Sequence, residues 1–296
     1  MENDRNSVLL NEEEIKKTET IAAETSPVVS SSLSKRSYYL DALNETEVNK
    51  LVKDTRPELI VLLGLNDFGK STFCGSLYHL LRTKGSLGNY VFIDSETFIG
   101  WERRVYLRRV ENDGPSTTKR TIRGENSFLH LKMQVGNTHK FFETVFSDSS
   151  GEVYRDYISN DELIEEDRTI EQADKLLLFI DSSKLYGQSY RSLKDAYISL
   201  MHRLKDKGKL PSHAIVYLIF NKEDLKNEAY QKRNDHEEAI TNIVKEAFDG
   251  KEIKIERINS KSLDDNQHLE DFFITILTPI DCQQDNVDID WVNNGI

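Results

Sequence analysis

Cysteine is scarce in this 296-residue chain: only Cys74 and Cys282 occur, far apart and without His or Cys neighbours at metal-ligand spacing. They read as reduced thiols in a cytosolic protein, with Cys74 a small buried residue on a helix. Long apolar runs are missing as well. No stretch approaches the roughly 18 residues of a membrane span, and the first residues lack a basic start followed by an apolar signal segment. The expected protein is cytoplasmic and makes no membrane contact. Positive charge is in deficit, with 39 Lys and Arg against 51 Asp and Glu and a formal net charge of -12. That balance argues against a surface built to embrace nucleic-acid phosphates. None of the seven His residues sits in a nucleophile or metal constellation, and no internal repeat is evident.

What is present is a core's worth of apolar residues, 38% of the chain, concentrated in its middle. Residues 1–56 are rich in Glu, Asn, Ser and Thr, with apolar residues too scattered to hold a period of two or of 3.6. They read as a largely disordered arm carrying one short helix over Leu40 to Val52, ended before Pro57. Residues 281–296 read as a flexible tail. Between them, residues 57–280 alternate strand and helix patterns, which predicts an α/β fold: a mostly parallel sheet between two helical layers. The strand runs are Leu59 to Leu63, Tyr90 to Ile93, Phe128 to Val135, Phe141 to Phe146, Lys175 to Ile180, Ala214 to Phe220 and Ile253 to Ile258. Helices are predicted over Lys70 to Arg82, Ser189 to Lys207, Glu237 to Phe248 and Leu269 to Leu277. The third and fourth runs, joined by Gly136-Asn137-Thr138, predict an antiparallel hairpin in the otherwise parallel series. An inserted segment of about residues 85–124 fits this alternation least; it carries Trp101, Arg103, Arg104, Tyr106, Arg108 and Arg109, then a polar loop from Glu111 to Thr121.

Four short motifs follow strand ends. Gly64-Leu65-Asn66-Asp67-Phe68-Gly69-Lys70-Ser71 matches GxxxxGK followed by Ser or Thr, between an apolar strand and an amphipathic helix. Its glycines let backbone N–H groups face phosphate oxygens at a helix N-terminus. Lys70 would reach the β- and γ-phosphates, and the Ser71 hydroxyl would complete part of a Mg²⁺ shell. Asp148-Ser149-Ser150-Gly151 ends the hairpin; the Asp can hold Mg²⁺ and the Gly N–H can meet a γ-phosphate, although a Ser- and Gly-rich surface turn would look the same. Asn221-Lys222-Glu223-Asp224 closes the next buried run. A carboxylate at Asp224 accepts two hydrogen bonds from guanine N1–H and its exocyclic amine, a donor pair adenine lacks. Asn259-Ser260-Lys261 follows the last strand, at the edge where open α/β sheets bind ligands.

In this order, GLNDFGKS, DSSG, NKED and NSK resemble the P-loop GTPase superfamily over about residues 58–280, with a three-layer α/β/α fold and a small-GTPase-like domain. Within it, the segment ETFIGWERRVYLRR, the hairpin FLHLKM and the acidic DSSGE look like the double-GTPase families of bacterial conflict systems. The resemblance implies that GTP or GDP and Mg²⁺ are bound, with a protein effector or a second GTPase subunit as partner and nucleic acid as an unlikely one. It implies that Gly64, Asn66, Asp67, Phe68, Gly69, Lys70, Ser71 and Thr72 line the phosphates and that Asp148 and Gly151 sense the γ-phosphate. Asn221, Lys222 and Asp224 would read guanine, supported by Ser260 and Lys261. The Mg²⁺ ligands would be Ser71, Asp148 and a Thr ahead of the hairpin, Thr121 first and Thr118 second.

Three departures bear on chemistry. Glu152 follows the DxxG glycine where Ras-like members carry a water-positioning Gln; it is either a catalytic residue or an exposed acid. A carboxylate there suits a negatively charged transition state poorly, so slow hydrolysis is expected; the alternatives are a GTP-binding scaffold that does not hydrolyse and an ATP-dependent P-loop enzyme in which NKED is coincidence. Asp67 stands where some cation-dependent GTPases place an Asn that binds K⁺, and is a K⁺ ligand or a turn-stabilising Asp. The arginines of the inserted segment supply either an arginine finger or a solvated helix face.

Overall fold

The computed structural model describes residues 41–109, 127–226, 231–261 and 267–280. The N-terminal arm up to residue 40, the tail 281–296, and the loop holding Thr118 and Thr121 lie outside the described residues.

The first helix, α1, spans Glu45–Asp54, starting later than the apolar spacing predicts. The reason is Asn44, whose side chain accepts from the Glu47 backbone N–H at 3.0 Å while the Glu47 carboxylate accepts from the Asn44 N–H at 2.9 Å. This reciprocal cap fixes the helix start. Leu43, just before it, is extended and forms a bridge to Phe128.

Eight strands form one sheet: β1 (Glu58–Leu63), β2 (Ser86–Leu87), β3 (Tyr90–Asp94), β4 (Phe128–Val135), β5 (Phe141–Ser147), β6 (Lys175–Asp181), β7 (Ile215–Asn221) and β8 (Ile253–Arg257), in the order β2-β3-β4-β5-β1-β6-β7-β8. Strands β5, β1, β6, β7 and β8 run parallel. The hairpin β4–β5 is antiparallel as the pattern predicts. Beyond the predicted hairpin, β3 and the short β2 extend the antiparallel part, with Phe92 opposite Met133 and Leu87 opposite Tyr90. The apolar run of β3 does not reveal its direction, since a strand's polarity is decided by the neighbour it meets.

The helices are α2 (Lys70–Lys84), α3 (Phe98–Arg109), α4 (Gly151–Asp156), α5 (Asp161–Glu166), α6 (Gly187–Asp206), α7 (Arg233–Ala247) and α8 (Gln267–Leu277). They cover both faces of the sheet and complete a three-layer α/β/α fold. Helix α2 ends where Gly85 takes φ 74°, the left-handed stop that glycine adopts without strain. On α2, Phe73 packs against Phe179 of β6 and against Phe272 and Phe273 of α8, with ring centroids 5.3, 5.9 and 4.9 Å away.

The inserted segment is seated by its aromatic residue. Trp101 of α3 is fully buried, stacks on Tyr78 of α2 at 5.6 Å and meets Phe146 of β5 edge-on at 5.7 Å. Its indole N–H donates to the His130 carbonyl at 2.8 Å. Burying such a ring contributes at most about 4–6 kcal/mol toward holding the inserted helix against the sheet.

Because β5, β1, β6, β7 and β8 are parallel, their carboxyl ends open at one edge. The register makes this concrete, since Val61 pairs with Ser147, Leu63 with Leu178 and Asp181 with Asn221. All four motifs therefore leave the sheet at the same edge.

Candidate functional site

The loop from Gly64 to Gly69 bends sharply. Asp67 takes φ 64° and Gly69 φ 87°, conformations tolerated by a short polar side chain and by glycine. Asp67 lies exposed in this bend. At Gly69 a further constraint applies: a Cβ there would stand 2.3 Å from the Asn221 Nδ2 atom. Lys70, the first residue of α2, folds back so that its Nζ donates to the Gly64 carbonyl at 2.6 Å and lies 5.5 Å over the Tyr154 ring. Burial lowers its pKa to about 8, against the opposing pull of the Asp148 carboxylate. An anion brought to this ammonium would favour its charged form.

Ser71 donates through Oγ to Asp148 Oδ1 at 3.0 Å. Asp148 is fully buried at the end of β5, and its backbone N–H is held by the Ser127 carbonyl at 2.8 Å. Its second oxygen, Oδ2, accepts from Arg104 Nε at 2.7 Å. Arg104 is thus buried in the site, and the reading of its run as a solvated face fails at this position; its neighbour Arg103 is half exposed and pairs with Asp41. Helical geometry explains the difference, since Arg104 lies one turn beyond Gly100 and Trp101 on the face that α3 buries.

Gly151 opens α4 against the loop after β1: a Cβ on it would stand 2.5 Å from both the Asn66 nitrogen and the Leu65 carbonyl carbon. Only glycine allows this approach. Ser150 caps α4 by accepting from the Glu152 N–H at 3.3 Å. The Glu152 carboxylate accepts from Asn66 Nδ2 at 3.5 Å, which puts it beside the loop; it is half-buried, not a fully exposed acid.

At the other end, the buried Asn221 side chain joins three loops. Its Nδ2 donates to the Phe68 carbonyl at 2.9 Å and its Oδ1 accepts from the Ser260 N–H at 3.0 Å. Lys222 takes φ 62° and its Nζ donates to Asp181 Oδ2 at 2.8 Å. Asp224 is exposed in a short 3₁₀ turn over Glu223–Leu225. Ser260 is buried, and its carbonyl accepts from Ser76 Oγ of α2. Lys261 is exposed, with its N–H donating to Asn259 Oδ1 at 3.1 Å. Thr72 lies in the first turn of α2, where its carbonyl accepts from Ser76 Oγ at 2.9 Å. The structure thus gathers the four motifs at one edge; Thr121 and Thr118 lie outside what it describes.

Three residues of this edge carry no motif. Asp181, at the end of β6, is buried and orients Lys222 while accepting from the Ser183 N–H at 3.0 Å. Lys184 lies 4.8 Å over the ring of the buried Phe68, and Arg104 holds Asp148. The sequence signal for Asp181 is its place at the end of a buried run; for Arg104 it is the helical spacing from Trp101.

A glycine-bent loop cradling a lysine at the start of a helix, an Asp facing the Ser that follows that lysine, and an Asn-Lys-x-Asp loop bound to the first define a P-loop GTPase-type nucleotide-binding protein. The profile of the Double-GTPase 2 family matches residues 58–277, and the chain belongs to that family. Among curated proteins none matches the chain. Several solved structures match part of the chain. The translation elongation factor SelB from Methanococcus maripaludis, in complex with the GTP analogue GppNHp, is 13% identical with TM-score 0.39; the match covers 75% of this chain and 34% of SelB. The Arl6 BBS3 small GTPase from Trypanosoma brucei, with a bound nucleotide analogue, is 12% identical with TM-score 0.39, over 74% of this chain and 96% of that one. A mutation variant of SsGBP is 16% identical with TM-score 0.39, covering 82% and 68%. Among the described residues no helix is long and apolar enough to cross a membrane.

Proposed function

We propose that residues 57–280 form a GTPase domain that binds GTP with Mg²⁺ and hydrolyses it slowly, changing the loops around Gly151 for a protein effector or second GTPase subunit to read. The observation that carries this reading is the Asn221 amide, which ties the phosphate-side loop at Phe68 to the base-side loops at Lys222 and Ser260. A nucleotide lying along that edge meets all of them at once. Lys70 neutralises phosphate charge, backbone N–H groups of Asn66 to Ser71 face phosphate oxygens, and the exposed Asp224 carboxylate accepts from guanine. Lys222, held by Asp181, lays its stem along the purine, a contact its apolar methylenes can make.

The residues fit a magnesium ion. Ser71 Oγ and Asp148 Oδ1 are two hard oxygens 3.0 Å apart, the donor type Mg²⁺ prefers when phosphates and water complete its shell. When bound, such an ion would supply positive charge to neutralise the triphosphate. Glu152 orients the attacking water from beside Asn66, and its negative charge keeps turnover slow.

A second reading, a GTP-binding scaffold that does not hydrolyse, is favoured by that same acidic Glu152. Titration with fluorescent GTP and ATP analogues tests the base assignment. GTP should bind at least about a hundredfold more tightly, the discrimination expected when the wrong base leaves a recognition group unpaired, and Asp224→Asn should shift preference toward xanthine nucleotide. Equal binding of GTP and ATP would refute the guanine assignment, and full triphosphate affinity in Lys70→Ala would refute the phosphate loop.

A further inference from the structure

The contact between Arg104 and Asp148 is not explained by any of the four motifs. Asp148 is fully buried, and its two oxygens face different partners: Oδ1 accepts from Ser71 Oγ at 3.0 Å and Oδ2 from Arg104 Nε at 2.7 Å. The guanidinium is fixed, not merely nearby. Its Nη1 donates to the Gly100 carbonyl at 2.9 Å and its Nη2 to Ser127 Oγ at 3.2 Å. The helix that carries it is fixed too, by the buried Trp101 and by Gly75 of α2, where an added Cβ would stand 3.2 Å from the Arg104 carbonyl oxygen. Arg104 is thus a cation held by the inserted helix at the carboxylate that would face a divalent ion.

The charges at this spot are uneven. Lys70 and Arg104 are two buried cations, and Asp148 is the buried carboxylate beside them; Asp67, at the exposed bend, adds a weaker, solvent-facing negative charge near Lys70. A guanidinium on Oδ2 of Asp148 offsets that carboxylate's charge, leaving Oδ1 toward Ser71, and repels a second cation, because buried charges are poorly screened. The same guanidinium attracts phosphate oxygens. Both effects act in one direction: they reduce how much nucleotide binding gains from a divalent ion.

We propose that Arg104 is a positioning residue that takes over part of the divalent ion's role at Asp148, so that this chain binds nucleoside triphosphate with weak dependence on Mg²⁺. The proposal rests on the GTP-binding reading above for the place of the phosphates, though not on the identity of the base.

The test is the ratio of nucleotide affinity in Mg²⁺ to that in excess EDTA, measured by fluorescence titration with GTP and ATP analogues on the full chain. In wild type and in Arg104→Lys the ratio should stay within about tenfold. In Arg104→Met it should rise by about tenfold or more, through weaker binding in EDTA and a lower Mg²⁺ concentration for half-saturation, as expected when a fixed charge near a binding site is removed. Ser127→Ala, which loosens the guanidinium without removing it, should lie between them and serves if Arg104→Met fails to fold. A wild-type ratio of about a hundredfold or more, or variants whose ratio does not move, would overturn the proposal. A purely structural Arg104 would lower thermal stability in Arg104→Met and leave the ratio unchanged. Failure of the guanine assignment appears separately, as equal affinity for GTP and ATP, with the metal ratio still readable from either nucleotide.

Discussion

Gly69 and Asn221 lie 152 positions apart in sequence, and their contact predicts an energetic coupling. In Gly69→Ala the new Cβ would sit 2.3 Å from Asn221 Nδ2, on a backbone at φ 87°. The left-handed conformation costs an alanine about 1–2 kcal/mol. Displacing the amide breaks its bond to the Phe68 carbonyl and leaves buried polar groups unpaired, for about 1–3 kcal/mol more. The total is about 2–5 kcal/mol. Asn221→Ala orphans both the Phe68 carbonyl and the Ser260 N–H, at about 1–3 kcal/mol each. In the double variant there is no amide to displace, so Gly69→Ala then costs only its backbone strain. The two losses should therefore fall short of additivity by about 1–3 kcal/mol, well beyond the roughly 0.5 kcal/mol scatter of independent sites. Urea unfolding of the four proteins measures this, with unchanged m-values confirming a common unfolding reaction. Additive losses would mean that the glycine is needed for its backbone angle alone, and that the two loops are not tied through this amide.

Lys70 gives a pH dependence. Burial lowers its pKa from 10.5 to about 8, so between those values the unfolded chain binds more protons and this group's contribution to stability rises with pH. Below about pH 8 the folded protein carries the full cost of the buried charge, about 3 kcal/mol. A phosphate against Lys70 favours the charged form, so binding takes up a proton and affinity should fall up to about tenfold per pH unit above pH 8. Titration from pH 7 to 9.5 measures this, and a flat profile would contradict it. Glu152→Ala should slow phosphate release by about tenfold or more if the carboxylate orients water, a modest share of the usual effect of such a group; unchanged single-turnover release would confine Glu152 to its contact with Asn66.

The motifs were legible because each is a local solution. A glycine-bent loop before Lys70 and Ser71 or a carboxylate after a buried run needs only the strand before it and the turn it makes, and apolar runs marked those strands nearly to the residue. Helix starts were less legible, as α1 shows, because one reciprocal cap at Asn44 and Glu47 outweighs apolar spacing. Helix α7 likewise begins at Arg233, four residues before the apolar pattern starts at Glu237, since the first turn of a helix can be wholly polar where it meets solvent.

By itself the sequence determined the alternation of strands and helices, the parallel core of the sheet, and the four loops that leave it at one edge. Those follow from apolar periodicity and turn chemistry, which act over a few residues. The tertiary structure decided which distant groups complete one another: that Asn221 binds Phe68 and Ser260, that Asp181 holds Lys222, that β3 joins the antiparallel side, and that Arg104 turns inward to Asp148. A run of arginines gives no direction to its side chains. Direction comes from the helix's rotation, set by the burial of Trp101 against Tyr78 and Phe146 and by the close approach Gly75 permits, and those contacts exist only once the sheet has formed.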